Sequence, residues 1–160
     1  MDLELTIEFP LDDDGYIRRQ CPRCERVFKW HHDPDPEEAP PGAEPALYHC
    51  PYCGEPSPAD QWLTDEQVDY AQAAAANELM KQVESQLRPS VEGLNRAGGG
   101  LIRADLDVPH RNPPAPLFEP NDMVAVEPPC HPEEPIKVIE DSADPIHCLI
   151  CGKSFLVGWG

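Results

Sequence analysis

The chain has 160 residues, 40% of them apolar but only 7% aromatic, with 21 prolines and a formal charge of -18 at pH 7. This is a thin supply for one large packed core, and domains of 50–70 residues are marginal unless a metal or another crosslink staples them. So negative a field repels phosphate backbones at long range and favours basic partners, unless the acids merely solvate the surface. No run approaches the ~20 apolar residues of a membrane helix, and no apolar leader follows Met1-Asp-Leu-Glu, so a membrane location is not expected.

In chain order, Leu3, Leu5, Ile7 and Phe9 alternate with Asp2, Glu4, Thr6 and Glu8, which predicts a half-buried strand over 2–9. Asp12-Asp13-Asp14-Gly15 reads as a turn. Residues 16–20 and 26–32 read as short strands flanking Cys21 and Cys24. Residues 33–46 hold five prolines and five acids and predict a solvated loop. Thr64-Asp65-Glu66-Gln67 has the form of a capping box. From there Val68, Ala71, Ala75, Leu79, Val83 and Leu87 recur at helical spacing, and Arg88-Pro89 predicts the stop, about 24 residues or roughly 36 Å on. Gly98-Gly99-Gly100 suggests a hinge. Ile102, Ala104, Leu106 and Val108 alternate with charged residues and predict a strand; 123–126, 136–139 and 155–157 predict shorter ones.

All seven cysteines fall into half-sites. Cys21-Pro-Arg-Cys24 and Cys50-Pro-Tyr-Cys53 form a complete four-thiol set, the ligand type and spacing of a closed tetrahedral metal site. Pro51 sets the second turn and Gly54 allows a positive φ after the last ligand; Glu25 stands at the matching place in the first. Cys148-Leu-Ile-Cys151 is a third such turn, and its mate is Cys130-His131. Three thiols need a fourth ligand. His131 is the first candidate, because neighbours in a proline-flanked turn can converge on one ion. His147 precedes Cys148 in a strand and should point away. Glu133 has the spacing but is a harder ligand. An open fourth position would make the site catalytic, but no HExxH and no defined general base accompanies it. Loading both sets with zinc carries the chain to about -21. Paired cysteines of this kind read as metal sites in a reducing compartment, which points to the cytoplasm.

The cysteine turns resemble the broad zinc-ribbon and rubredoxin-like class, with the first set followed by an acidic Asp-Pro loop and then Cys-Pro-Tyr-Cys-Gly. The resemblance covers about 35 residues and implies a β-hairpin metal knuckle that holds zinc or, at the first site, iron. The rubredoxin signature has Gly after both pairs, and Glu25 departs from it. Cys-Pro-Tyr-Cys is also the active-site string of glutaredoxins, but that chemistry needs a helix after the first cysteine, and Pro56 and Pro58 prevent one.

Arg18, Arg19, Arg23, Arg26 and Lys29, interleaved with Phe28, Trp30, His31 and His32, could engage single-stranded nucleic acid by phosphate contact and stacking. They could equally pair internally with the acids at 12–14 or 33–44. His31-His32 could hold a further metal, although the four thiols already suffice. No phosphate loop, dinucleotide fingerprint or nucleophile elbow is present.

The expected architecture is α+β: a strand and four-cysteine ribbon over 1–62, a connecting helix over 63–89, a Gly-rich hinge over 90–100, and a β unit with a second, Cys3His ribbon over 101–160. The expected role is a non-enzymatic zinc-binding adaptor or accessory subunit with a protein partner, either a basic surface or a larger complex. Nucleic-acid binding through 18–32 and rubredoxin-like electron transfer are the alternatives.

Overall fold

The computed structural model of the chain describes residues 5–31, 47–109, 112–140 and 145–158. They fall into two compact units, one drawn from Met1–Glu8 and Val68–Pro116, the other from Phe9–Gln67 and Leu117–Gly160. One long helix and small antiparallel sheets make up the regular structure.

Among the described residues the second unit carries eight strands: β1 Tyr16–Gln20, β2 Val27–His31, β3 Leu47–His49, β4 Pro56–Pro58, β5 Val124–Val126, β6 Ile136–Val138, β7 Ile146–His147 and β8 Ser154–Phe155. β1, β2, β6 and β5 form a four-stranded antiparallel sheet in that order, while β3–β4 and β7–β8 are separate hairpins. The sequence places the two cysteine clusters on either side of a helix. In the structure both lie in this one unit, because β6 from the C-terminal half pairs with β2 beside the first cysteine turn.

Alternation divides the large sheet into two faces. Ile17, Trp30, Ile136 and Val126 stand in cross-strand register and turn inward with Phe28 and Val138. Trp62, Tyr52, Ile146 and Leu149 close this core. The few aromatics are concentrated here: the Phe28 ring meets Trp62 at 5.7 Å and Tyr52 at 6.4 Å, both edge to face. The other face carries Arg18, Lys29 and Lys137 side by side across three strands.

Helix α1, Asp65–Ala97, starts at the capping box: Thr64 N–H donates to Gln67 Oε1 at 3.0 Å and Gln67 N–H to Thr64 Oγ1 at 3.1 Å. Gln67 Nε2 also donates to the Arg18 carbonyl, which ties the first turn to β1. The helix does not stop at Pro89, which lies inside it. Proline there removes one backbone donor without ending the run. The stop comes at the glycines, where Gly98 N–H donates to the Leu94 carbonyl and Gly99 and Gly100 take positive φ.

The first unit holds α1 from Val68 and the chain that follows it. The strand expected over 101–108 is not formed. The Asn95 side chain takes both backbone groups of Ala104, accepting its N–H at 2.6 Å and donating to its carbonyl at 2.8 Å. Asn77 Nδ2 in turn donates to the Asn112 carbonyl. Alternation without a neighbouring strand leaves the segment irregular. Residues 5–9 likewise form no strand; 1–4 lie outside the described residues, as does the acidic loop predicted at 33–46.

Candidate metal centres

Three of the four half-sites are one repeated piece of local structure. Cys21, Cys50 and Cys148 each accept the N–H of the residue four positions on, Glu25, Gly54 and Gly152, at 2.9–3.0 Å. Each also donates its own N–H to the residue five on, at 2.9–3.1 Å. The flanking strands pair in the same register each time: Gln20 with Val27, His49 with Pro56, His147 with Ser154. The residue after the second cysteine of each turn takes a positive φ, which is +61° at Glu25, +74° at Gly54 and +72° at Gly152. Glu25 therefore adopts the backbone that glycine adopts in the other two.

The turns aim backbone N–H groups at sulfur. Cys21 Sγ accepts from Arg23 and Cys24 at 3.3 and 3.4 Å, and Cys50 Sγ from Tyr52 at 3.4 Å. Burial pushes the Cys21 thiol up, but these N–H groups outweigh it and hold it below its ordinary value. At Cys50 burial wins and pushes the thiol well up.

The structure brings Cys21, Cys24, Cys50 and Cys53 together, with their sulfurs all within 4.8 Å of one another. Cys21 Sγ stands 3.7 Å from Cys53 Sγ, and Cys24 Sγ 3.7 Å from Cys50 Sγ. Four sulfurs placed ~2.3 Å from a tetrahedral centre stand about 3.8 Å apart, close to both of these distances, so the set suits a tetrahedral metal ion. A disulfide would need about 2.05 Å, and all seven cysteines are unpaired.

Cys130, His131, Cys148 and Cys151 form the second cluster within the same limit. Cys130 Sγ lies 3.4 Å from Cys151 Sγ, and Cys148 Sγ lies 3.4 Å from His131 Nδ1. One imidazole among three thiolates contracts the sulfur–nitrogen edge to about 3.5 Å, so this set fits too. His131 reaches the cluster from a tight turn in which its N–H donates to the Pro128 carbonyl and its carbonyl accepts from Glu134. Desolvation and the neighbouring thiols push Cys130 up to about 11, while the Lys153 N–H draws Cys151 down to about 7. So close a set of thiols cannot all ionise without a cation among them. His147 belongs to neither cluster: its Nδ1 lies 3.1 Å from the Pro51 carbonyl. Glu133 is also outside the cluster.

The basic residues of 18–29 are largely engaged within the second unit. Arg18 pairs with Glu119 at 2.9 Å and Asp122 at 2.7 Å. Lys29 is fully buried and pairs with Asp12, Glu119 and Asp122, and also donates to the Pro120 carbonyl. Arg26 lies over the Tyr52 ring at 3.8 Å and Arg19 over the Trp30 ring at 4.6 Å, with burial drawing the Arg19 pKa down to about 10. Arg23 is exposed. Phe28 and Trp30 belong to the core, and His31 packs edge-on against Tyr16 at 5.3 Å. His32 lies outside the described residues. Asp12 was a foreseeable partner of Lys29, but Glu119 and Asp122 are about ninety positions away in sequence and carry no local signal.

Compared with protein-family models, with curated proteins and with solved structures, the chain matches none.

Proposed function

We propose that this protein is a non-enzymatic accessory protein that acts by binding another protein, with zinc at both clusters as structural staples. Zinc supplies a redox-inert tetrahedral centre that holds loops together. Cys21, Cys24, Cys50 and Cys53 hold one ion; Cys130, His131, Cys148 and Cys151 hold the other. In each set four donors are already grouped, which suits a closed structural site rather than an open catalytic one. The unpaired state of all seven cysteines suits the reducing cytoplasm. No described helix is long and apolar enough to cross a membrane.

One observation carries the binding role. α1 runs for 33 residues, about 50 Å, yet among its described residues only Gln67 is buried. Leu79, Met80, Leu87 and Leu94 are 39–52% exposed. A helix that leaves its large apolar side chains this open is a surface for another protein, and a chain at -18 selects a basic one. Nucleic-acid binding through 18–32 draws no such support, since Arg18 and Lys29 already have carboxylate partners and Phe28 and Trp30 are buried.

The test is purification from the native host with elemental analysis. A stoichiometric protein partner, two zinc ions per chain, and loss of that partner in Leu87→Asp/Leu94→Asp are expected. A zinc-loaded monomer with no stoichiometric partner would count against the binding role.

A further inference from the structure

The two cysteine clusters are built into each other. His49 immediately precedes Cys50 of the first cluster, and its N–H donates to the Leu149 carbonyl, inside the Cys148–Cys151 turn, at 2.8 Å. His147 immediately precedes Cys148 of the second, and its N–H donates to the Pro51 carbonyl, inside the Cys50–Cys53 turn, also at 2.8 Å. The rings follow the same reciprocal rule. His147 Nδ1 lies 3.1 Å from the Pro51 carbonyl and His49 Nδ1 lies 3.4 Å from the Leu149 carbonyl. Each ring also rests on the glycine that closes the opposite turn. A β-carbon on Gly54 would meet the His147 ring at 2.8 Å, and one on Gly152 would meet the His49 ring at 2.6 Å. Glycine is needed at both places for the positive φ and for this approach.

We infer that His49 and His147 are reciprocal positioning residues that make the two metal centres one cooperative unit, so that loading either centre raises the affinity of the other. This rests on the reading of both clusters as metal sites. A cysteine turn without its ion has no covalent hold on its carbonyls. Loading fixes the turn, and the fixed turn presents a carbonyl and a glycine face to the histidine beside a ligand of the other set. The second ion then binds a turn whose ordering is already in place, which is positive coupling. Linkage makes the effect equal in both directions. Peptide contacts made at both ends of one interface are sufficient to carry it: two backbone hydrogen bonds and two seated rings join the two turns directly.

The full chain, stripped of metal under reducing conditions, would be titrated with zinc and its species counted by native mass spectrometry. At half loading, two independent and equal sites put about half of the molecules in the one-metal form. A tenfold coupling, within the usual range, reduces that form to about a quarter, and stronger coupling reduces it further. The two donor sets differ, and unequal sites raise the one-metal form whatever the coupling, so the change on substitution decides. The one-metal form at half loading should be clearly larger in His49→Ala/His147→Ala than in the unsubstituted chain, while both metals still bind at saturation. If that variant does not fold, His49→Ala and His147→Ala are each compared in the same way. A one-metal form no larger in the folded variants than in the unsubstituted chain overturns the coupling and leaves the metal sites standing. No zinc bound at all overturns both.

Discussion

Lys29 and Lys137 stand directly opposite each other on β2 and β6, and both ammonium groups are buried. Arg18 is the next cross-strand neighbour of Lys29. Like charges in such positions are unfavourable, and this row persists because carboxylates meet it from the loops. Asp12 Oδ2 lies 3.1 Å from Lys29 Nζ and 2.8 Å from Lys137 Nζ, while its Oδ1 accepts the N–H groups of Asp14 and Tyr16 at 3.0 Å. Asp14 adds a 2.6 Å pair to Lys137, and Glu119 and Asp122 pair with Lys29. Of the acid-rich turn at 12–14, Asp12 is thus buried against the sheet's outer face, while Asp13 and Asp14 stay exposed.

Asp12→Asn is expected to destabilise the protein by about 2–3 kcal/mol, since it removes the carboxylate shared by two buried cations that keep their other acidic partners. Chemical denaturation of both proteins in zinc-saturated buffer checks this. The same group predicts a pH dependence. Burial pushes the Asp12 carboxyl up, but Lys137, the Tyr16 N–H and Lys29 outweigh it and hold the pKa at about 2, below the ordinary 3.8. A lowered carboxyl pKa contributes stability above 3.8 that is lost as pH falls towards 2, here about 2 kcal/mol. The acid limb should be shallower by that amount in Asp12→Asn, with metal content followed in parallel.

Tyr52 lies between the two ligands of its own turn and ties that turn to the sheet. Its hydroxyl donates to the Val27 carbonyl at 2.8 Å and accepts the Ile139 N–H at 3.1 Å. Tyr52→Phe keeps the ring against Phe28 and loses both bonds. A cost of about 1–3 kcal/mol is expected, with zinc stoichiometry unchanged, by thermal unfolding and elemental analysis together.

Glu25→Gly should stabilise the protein. A side chain at φ +61° costs roughly 1–2 kcal/mol, part of which glycine gives back in chain entropy. A net gain of about 1 kcal/mol is expected. A lower melting temperature would show that the Glu25 side chain makes a contact worth more than the backbone relief.

His131→Ala should reduce zinc at saturation from two ions per chain to one, or weaken the second by more than tenfold, and should change the cobalt(II) absorption that reports a three-sulfur, one-nitrogen set. His147→Ala should retain both ions at saturation, because its ring nitrogen faces the Pro51 carbonyl instead of a cluster.

Local chemistry was legible from the start. The cysteine turns, the glycines after two of them, and the Thr64–Gln67 cap are closed by hydrogen bonds that span at most five residues, so residue types at fixed spacing suffice to read them. Proximity and side-chain direction also placed His131 ahead of His147 as a candidate. Alternation misled at 102–108, where the period of a strand is present but Asn95 takes the backbone groups of Ala104. Arg88-Pro89 misled as a stop, because a single missing donor does not end a helix whose glycine terminus lies nine residues on.

By itself, then, the sequence determined where ions can be held and where a long helix begins, since both depend on neighbours along the chain. Only the tertiary structure decided that β6 joins β2, that Lys29 faces Lys137, and that His49 and His147 each rest on the other cluster's glycine. Those contacts join residues about a hundred positions apart. They are selected by the joint burial of Ile17, Trp30, Ile136 and their neighbours, a choice among many possible strand pairings that no local spacing records.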